Sequence, residues 1–174
     1  MGLEQFQKKL AKISTVFLQC VFLLFFFRFF LFNVGVVNGE SMEPSFHDQD
    51  NFVINKFLYL VSKPQRGDVI QLLDPYDNNV LLIKRIIGLP GEKIIFHSND
   101  VYIENQFGAF KLNEPYLFET TQTKVLHGKP SEILLDSDTY FVLGDNREYS
   151  NNDSRVFGSV HRRLINGKVS YPKD

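Results

Sequence analysis

Ser41 lies in the stretch Asn-Gly-Glu-Ser-Met-Glu-Pro-Ser-Phe, residues 38–46, directly after the most hydrophobic part of the chain. A serine hydroxyl is a weak nucleophile until a base takes its proton. His47 is near in sequence. The flank Gly39-Glu40-Ser41-Met42-Glu43 lacks the second glycine of the G-x-S-x-G elbow and its strand–elbow–helix context, so His47 reads as an ordinary surface histidine. A lysine is the more interesting base. In Leu-Leu-Ile-Lys-Arg-Ile-Ile, residues 81–87, strand alternation puts Leu82, Lys84 and Ile86 on one face and Ile83, Arg85 and Ile87 on the other. Desolvation among aliphatic side chains penalises an ammonium and brings the neutral amine within reach of about pH 7 to 8. A lysine so tuned can act as a general base. On the strand pattern alone, an edge lysine reaching into water is the simpler reading.

The third polar stretch is Gly-Asp-Asn-Arg-Glu-Tyr-Ser-Asn-Asn-Asp-Ser-Arg-Val-Phe-Gly, residues 144–158. It sets Asp145, Asn146, Arg147, Ser150, Asp153, Ser154 and Arg155 behind an apolar run. Such a density of donors and acceptors can form a network that fixes a site, with Asp145 available to Arg85. A solvated hairpin loop would show the same turn chemistry.

The elements that must position these residues are legible in outline. From Ile13 to Phe32 the chain is almost entirely apolar and carries eight phenylalanines. A membrane-crossing helix needs about 20 such residues, and Arg28, toward the end of the run, can snorkel to the interface. Residues 1–12 are expected to be a cytoplasmic N-terminus, 13–35 a transmembrane helix and 36–174 an extracytoplasmic domain. Lys8, Lys9 and Lys12 before the span set that orientation by the positive-inside rule. A cleaved signal peptide is the competing reading, but the run is longer than a usual hydrophobic region and no Ala-x-Ala site follows it. A buried core helix would need a polar face, which the run lacks.

Past residue 50 short runs such as Asp-Asn-Phe-Val-Ile-Asn-Lys-Phe-Leu-Tyr-Leu-Val, Arg-Gly-Asp-Val-Ile-Gln-Leu-Leu-Asp and Asp-Thr-Tyr-Phe-Val-Leu-Gly alternate with Gly, Asn, Asp and Pro turns. This predicts a mainly β domain. Arg66-Gly67-Asp68 reads as a tight turn feeding a strand rather than as an adhesion motif. Residues 105–139 are the least regular and read as a possible insertion or small subdomain. The net charge of −1 gives no nucleic-acid footprint. The lone Cys20 permits no internal disulfide, and the histidines at 47, 97, 127 and 161 show no metal-ligand spacing.

Taken together, Gly-Glu-Ser-Met-Glu-Pro-Ser-Phe behind an apolar span, Arg-Gly-Asp-Val-Ile, Ile-Lys-Arg-Ile-Ile-Gly-Leu-Pro-Gly-Glu and Gly-Asp-Asn-Arg-Glu-Tyr-Ser-Asn-Asn-Asp-Ser-Arg resemble the type I signal peptidases. These are membrane-anchored Ser/Lys endopeptidases that remove signal peptides. The pieces occur in the family's order over residues 39–158, and the resemblance is to a Gram-positive-like short form. It implies a signal-peptidase-like β-rich catalytic domain with one N-terminal transmembrane helix and an exposed apolar surface that meets membrane lipid. It implies signal-peptide-bearing precursors as substrates, cut at the outer membrane surface, and no metal or organic cofactor. By the same resemblance Ser41 is the nucleophile, whose own backbone N–H is an oxyanion donor, and Lys84 is the general base. Met42 helps form the pocket for the small residue before the scissile bond, and Ser150 orients the lysine amine. Arg85 with Asp145, and Asp153 with Arg155, form structural ion pairs.

Two features depart from the family pattern. Gly39 stands where some members carry a hydroxyl that serves as a second oxyanion donor. Two residues, Asn151 and Asn152, separate Ser150 from Asp-Ser-Arg, where one is usual. Counting from Gly144 selects Ser150; counting back from Asp153 selects Asn151. A catalytically weak or inactive relative, acting as a binding or assembly factor for exported surface proteins, is the alternative function. Nothing in the sequence specifies an oligomeric state.

Overall fold

A computed structural model describes residues 2–171. The apolar run forms one helix, α1 (Gly2–Leu31), whose side chains up to Arg28 are exposed on every side. It is long and apolar enough, over Gly2–Arg28, to cross a membrane. The helix ends earlier than the span 13–35 expected from hydropathy. Residues Phe32–Val36 form strand β1, which pairs antiparallel with β2 (Asn51–Asn55), Phe32 facing Asn55 and Val36 facing Asn51. The backbone groups of residues 32–35 are thus spent on a sheet. Gly35 permits the pairing, because a Cβ there would fall 2.5 Å from the Phe52 ring.

The chain continues through α2 (Leu58–Val61), β3 (Val69–Leu73), β4 (Leu81–Gly88), β5 (Lys93–His97), β6 (Asp100–Asn105), β7 (Gly108–Lys111), β8 (Glu132–Leu134), β9 (Thr139–Leu143), α3 (Ser154–Phe157), β10 (Val160–His161) and β11 (Ile165–Ser170). The strands make two sheets, a larger one in the order β1-β2-β11-β3-β4-β9-β10 and a smaller one in the order β7-β6-β5-β8. The mainly β architecture is the one the turn-separated runs predict. Local chemistry explains the turns. Ser98 and Asn99 both take positive φ, at 52° and 67°, which suits the two-residue hairpin between β5 and β6. Gly67, at φ 86°, makes the turn into β3.

One expected strand is shorter than its sequence. Of residues 50–61 only Asn51–Asn55 is extended. The Asn55 side-chain oxygen accepts from the Leu58 N–H at 3.0 Å and starts the turn of α2, whose Tyr59 packs into the core. Residues 105–139 supply β7 and β8, the two edges of the smaller sheet.

Three apolar clusters hold the domain. Ile87, Ile94, Phe96, Ile103, Phe141 and Leu143 join the smaller sheet to the larger. Ile70, Leu72, Ile86, Val142 and Val160 fill one side of the larger sheet. Met42, Phe46, Phe52, Ile54, Val69 and Val169 gather beneath the loop that carries Ser41.

Candidate active site

Ser41 sits on the turn between β1 and β2, and Lys84 in the middle of β4. Residues 43 positions apart are thereby joined: Lys84 Nζ donates to Ser41 Oγ at 2.7 Å. Lys84 is 2% exposed. Burial pushes its amine down from lysine's ordinary 10.5 to about 8; the carboxylates of Asp153 and Asp145 pull it back up, and Arg155 pushes it further down. As an ammonium Lys84 donates to the hydroxyl. As a neutral amine at the same separation it can accept the hydroxyl's hydrogen, the geometry asked of a general base.

Met42 is 1% exposed in the cluster under the loop. It lines, with Ser41, Lys84, Val36, Phe52 and Ile83, an open cleft whose water-accessible volume is about 410 Å³. β1 forms one wall of that cleft and the start of β4 the other. Gly39 takes φ 97°, and its N–H donates to Asp48 Oδ1 at 2.7 Å.

The Gly144–Arg155 stretch wraps the other side of Ser41. Arg85 grips Asp145 through two hydrogen bonds, Nε to Oδ1 at 2.8 Å and Nη2 to Oδ2 at 2.5 Å, and also donates to Ser45 Oγ at 3.0 Å. Asp145 therefore braces the turn that bears the serine. Asp153 is fully buried and holds Arg155 through Nε at 3.0 Å and Nη2 at 2.8 Å. It also accepts the Arg155 N–H at 3.0 Å and so caps α3.

Ser150 is buried, whereas Asn151 is exposed. The Ser150 hydroxyl donates to Asp153 Oδ2 at 2.8 Å. No hydrogen bond joins it to Lys84, whose bond goes to Ser41. Ser150 and the Ser41 carbonyl both press on Gly144, where an added Cβ would lie 2.3 Å from Ser150 Oγ and 2.5 Å from Ser41 O. His47 stands apart with Asp50, 63% exposed at its side chain.

Sequence reasoning gave Asn146 no role beyond membership of the polar stretch, and gave Glu114 and Tyr116 none. The Asn146 N–H donates to Ser41 O at 3.1 Å, and its side-chain amide donates to Glu40 O at 3.1 Å. Both hold the turn from behind, and its place in Gly-Asp-Asn is the signal that was available. Glu114 and Tyr116 come from the irregular stretch. Glu114 pairs with the fully buried guanidinium of Arg147, which also donates to Gly144 O at 2.9 Å. The Tyr116 ring lies 3.9 Å from the Arg85 guanidinium carbon. These contacts span more than 30 residues, and no local pattern announces them.

Comparison with known proteins agrees with this picture. The family model for signal peptidase, peptidase S26, matches residues 10–172. A signal peptidase I of Bacillus licheniformis is 32% identical over 87% of this chain and 81% of its own length. Signal peptidase I P of Bacillus subtilis subsp. natto is 30% identical over 97% and 96%. Signal peptidase IB of Staphylococcus aureus is 32% identical over 86% and 81%. A crystal structure of a signal peptidase I from Enterococcus faecalis V583 superposes with a TM-score of 0.51 at 30% identity, covering 63% of this chain and 99% of that one. The chain belongs to the signal peptidase (peptidase S26) family and is a serine endopeptidase of the signal peptidase I kind.

Proposed function

We propose that this protein cleaves N-terminal signal peptides from exported precursors at the outer membrane surface, with Ser41 as nucleophile and Lys84 as its general base. The observation that carries the reading is the 2.7 Å approach of a buried amine, lowered to about 8, to the Ser41 hydroxyl. Neutral Lys84 takes the hydroxyl proton as Oγ attacks the carbonyl that follows a small side chain. The developing oxyanion is held by backbone N–H donors, that of Ser41 first. Protonated Lys84 then gives its proton to the leaving amine, and water resolves the acyl-enzyme by the reverse route. The precursor lies extended in the cleft between β1 and β4, so that main-chain bonds bind it and small pockets select it, Met42 lining the one nearest the scissile bond.

Ser150 acts in this reading as a positioning residue. Its hydroxyl fixes Asp153, whose charge bears on Lys84. The ion pairs of Arg85 with Asp145 and of Arg155 with Asp153 hold the turn and the lysine's surroundings. Helix α1 crosses the membrane with Lys8, Lys9 and Lys12 on the cytoplasmic side and leaves Ser41 a few residues beyond the bilayer, where a signal peptide's cleavage site emerges. The helix runs directly into β1, a wall of the cleft, which favours a retained anchor over a removed leader.

The test is a purified full-length protein incubated with a secretory precursor beside its Ser41→Ala and Lys84→Ala variants. Cleavage lost in both variants supports the dyad. Cleavage that survives either change refutes it, and a wild-type protein that binds precursors without cutting them would point to the assembly-factor alternative.

A further inference from the structure

Gln71 is a polar side chain of the cleft that has no part in the dyad or its braces. Gln71, on β3, faces Ile83 of β4 in register, one position from the Ile70–Lys84 pair. It shares its strand face with Val69, a member of the cluster that contains Met42, Phe52 and Ile54. Gln71 lines the same cleft as Ser41 and is 8% exposed. Its side-chain oxygen accepts from Asn166 Nδ2 at 3.2 Å. That bond fixes the amide's orientation and leaves its NH₂ group, with two donors, unpaired among the described residues. Met42, Phe52, Ile54 and Ile83 of the cleft are apolar; Asn33 and Asn38 also line it, and neither is hydrogen-bonded to Gln71.

A peptide bound as a strand sends alternate side chains to one face. If the residue before the scissile bond points at Met42, the residue two positions further upstream points into the same cleft. We propose that Gln71 makes this second position a polar-selecting one. Precursors with a side-chain hydrogen-bond acceptor there, such as threonine or serine, are preferred over those with an aliphatic residue of equal size. Before binding, the amide donors face water. An aliphatic side chain expels that water and leaves them unpaired, whereas a hydroxyl replaces it. This inference rests on the proposed function, because it assumes that the cleft holds the precursor.

The test uses full-length protein and a pair of precursor peptides that differ only at that upstream position, threonine in one and the near-isosteric valine in the other. The wild type is expected to cut the threonine peptide with a kcat/KM roughly tenfold higher. Gln71→Leu and the unbranched Gln71→Met are both expected to reverse the preference. Each ratio is taken on one enzyme preparation, so partial misfolding of a variant cancels from it. A wild type that favours valine or does not discriminate, or variants that keep the wild-type ratio, would overturn the inference. Loss of cleavage in Ser41→Ala alongside an unchanged ratio would leave the protease reading standing and sink this one alone. Cleavage that persists in Ser41→Ala would sink both.

Discussion

Replacing Lys84 by methionine should make the protein inactive and at the same time more stable. Lys84 is 2% exposed, and the folded state lowers its amine from 10.5 to about 8, mainly through burial. A shift of that size corresponds to about 3 kcal/mol of destabilisation while the group is protonated in both the folded and unfolded chain. The sign follows from the direction. Below about pH 8 the folded protein holds a charge that it binds more weakly than the unfolded chain does, so the penalty is complete. It fades as pH rises from about 8 toward lysine's ordinary value and is absent above it. Methionine fills similar space with no charge to desolvate. For a chain of 174 residues the gain at pH 7 corresponds to a melting temperature higher by roughly 10 °C. Thermal melts of detergent-solubilised full-length protein at pH 7 and pH 10, beside precursor cleavage by the same samples, test this. The variant should melt well above wild type at pH 7, with the gap narrowing at pH 10, and should cut nothing. A variant less stable than wild type at pH 7, or a gap indifferent to pH, would refute the claim that Lys84 is held in a costly dry environment.

Three further outcomes follow from the same geometry. Gly144→Ala should lower kcat/KM by about a hundredfold or more, since its Cβ would strike Ser150 Oγ and the Ser41 carbonyl and displace Ser41; wild-type kinetics would contradict this. Glu114→Ala strands the buried Arg147 guanidinium and should cost about 3 kcal/mol in thermal or denaturant unfolding, although Glu114 lies far from the dyad in sequence; unchanged stability would count against it. Ser150→Ala removes a donor from Asp153, leaves more negative charge bearing on Lys84, and should reduce activity while moving its pH inflection upward. Full activity in Ser150→Ala together with impairment in Asn151→Ala would show that the wrong residue of the lengthened motif had been chosen.

The sequence carried the chemistry more clearly than the shape. Strand alternation in residues 81–87 gave Lys84 aliphatic neighbours but left an edge lysine as the simpler reading; the position of β4 inside the larger sheet, with β3 and β9 on either side, is what buries it. The end of α1 was not legible. Phe32, Val34 and Val36 continue the apolar run without a break, and only pairing with β2 distinguishes strand from helix there. The turn of α2 was hidden for a similar reason: Phe57, Leu58 and Tyr59 suit a strand by propensity, and the bond from the Leu58 N–H to the Asn55 side chain turns the chain instead. Residues 105–139 looked featureless because their significance is long-range. Glu114 and Tyr116 matter through Arg147 and Arg85, partners that no local period can specify. Gln71 was obscured by its strand, whose neighbours Ile70 and Leu72 are entirely buried and make the run look like uniform core.

The central claim is that an uncharged Lys84 takes the proton from Ser41, and the pH dependence of kcat/KM for cleavage of a precursor peptide tests it most directly. Activity should climb with pH and reach half its maximum near 8, where the buried amine loses its proton. A profile that is flat across this range, or that rises only near 10.5, would contradict it.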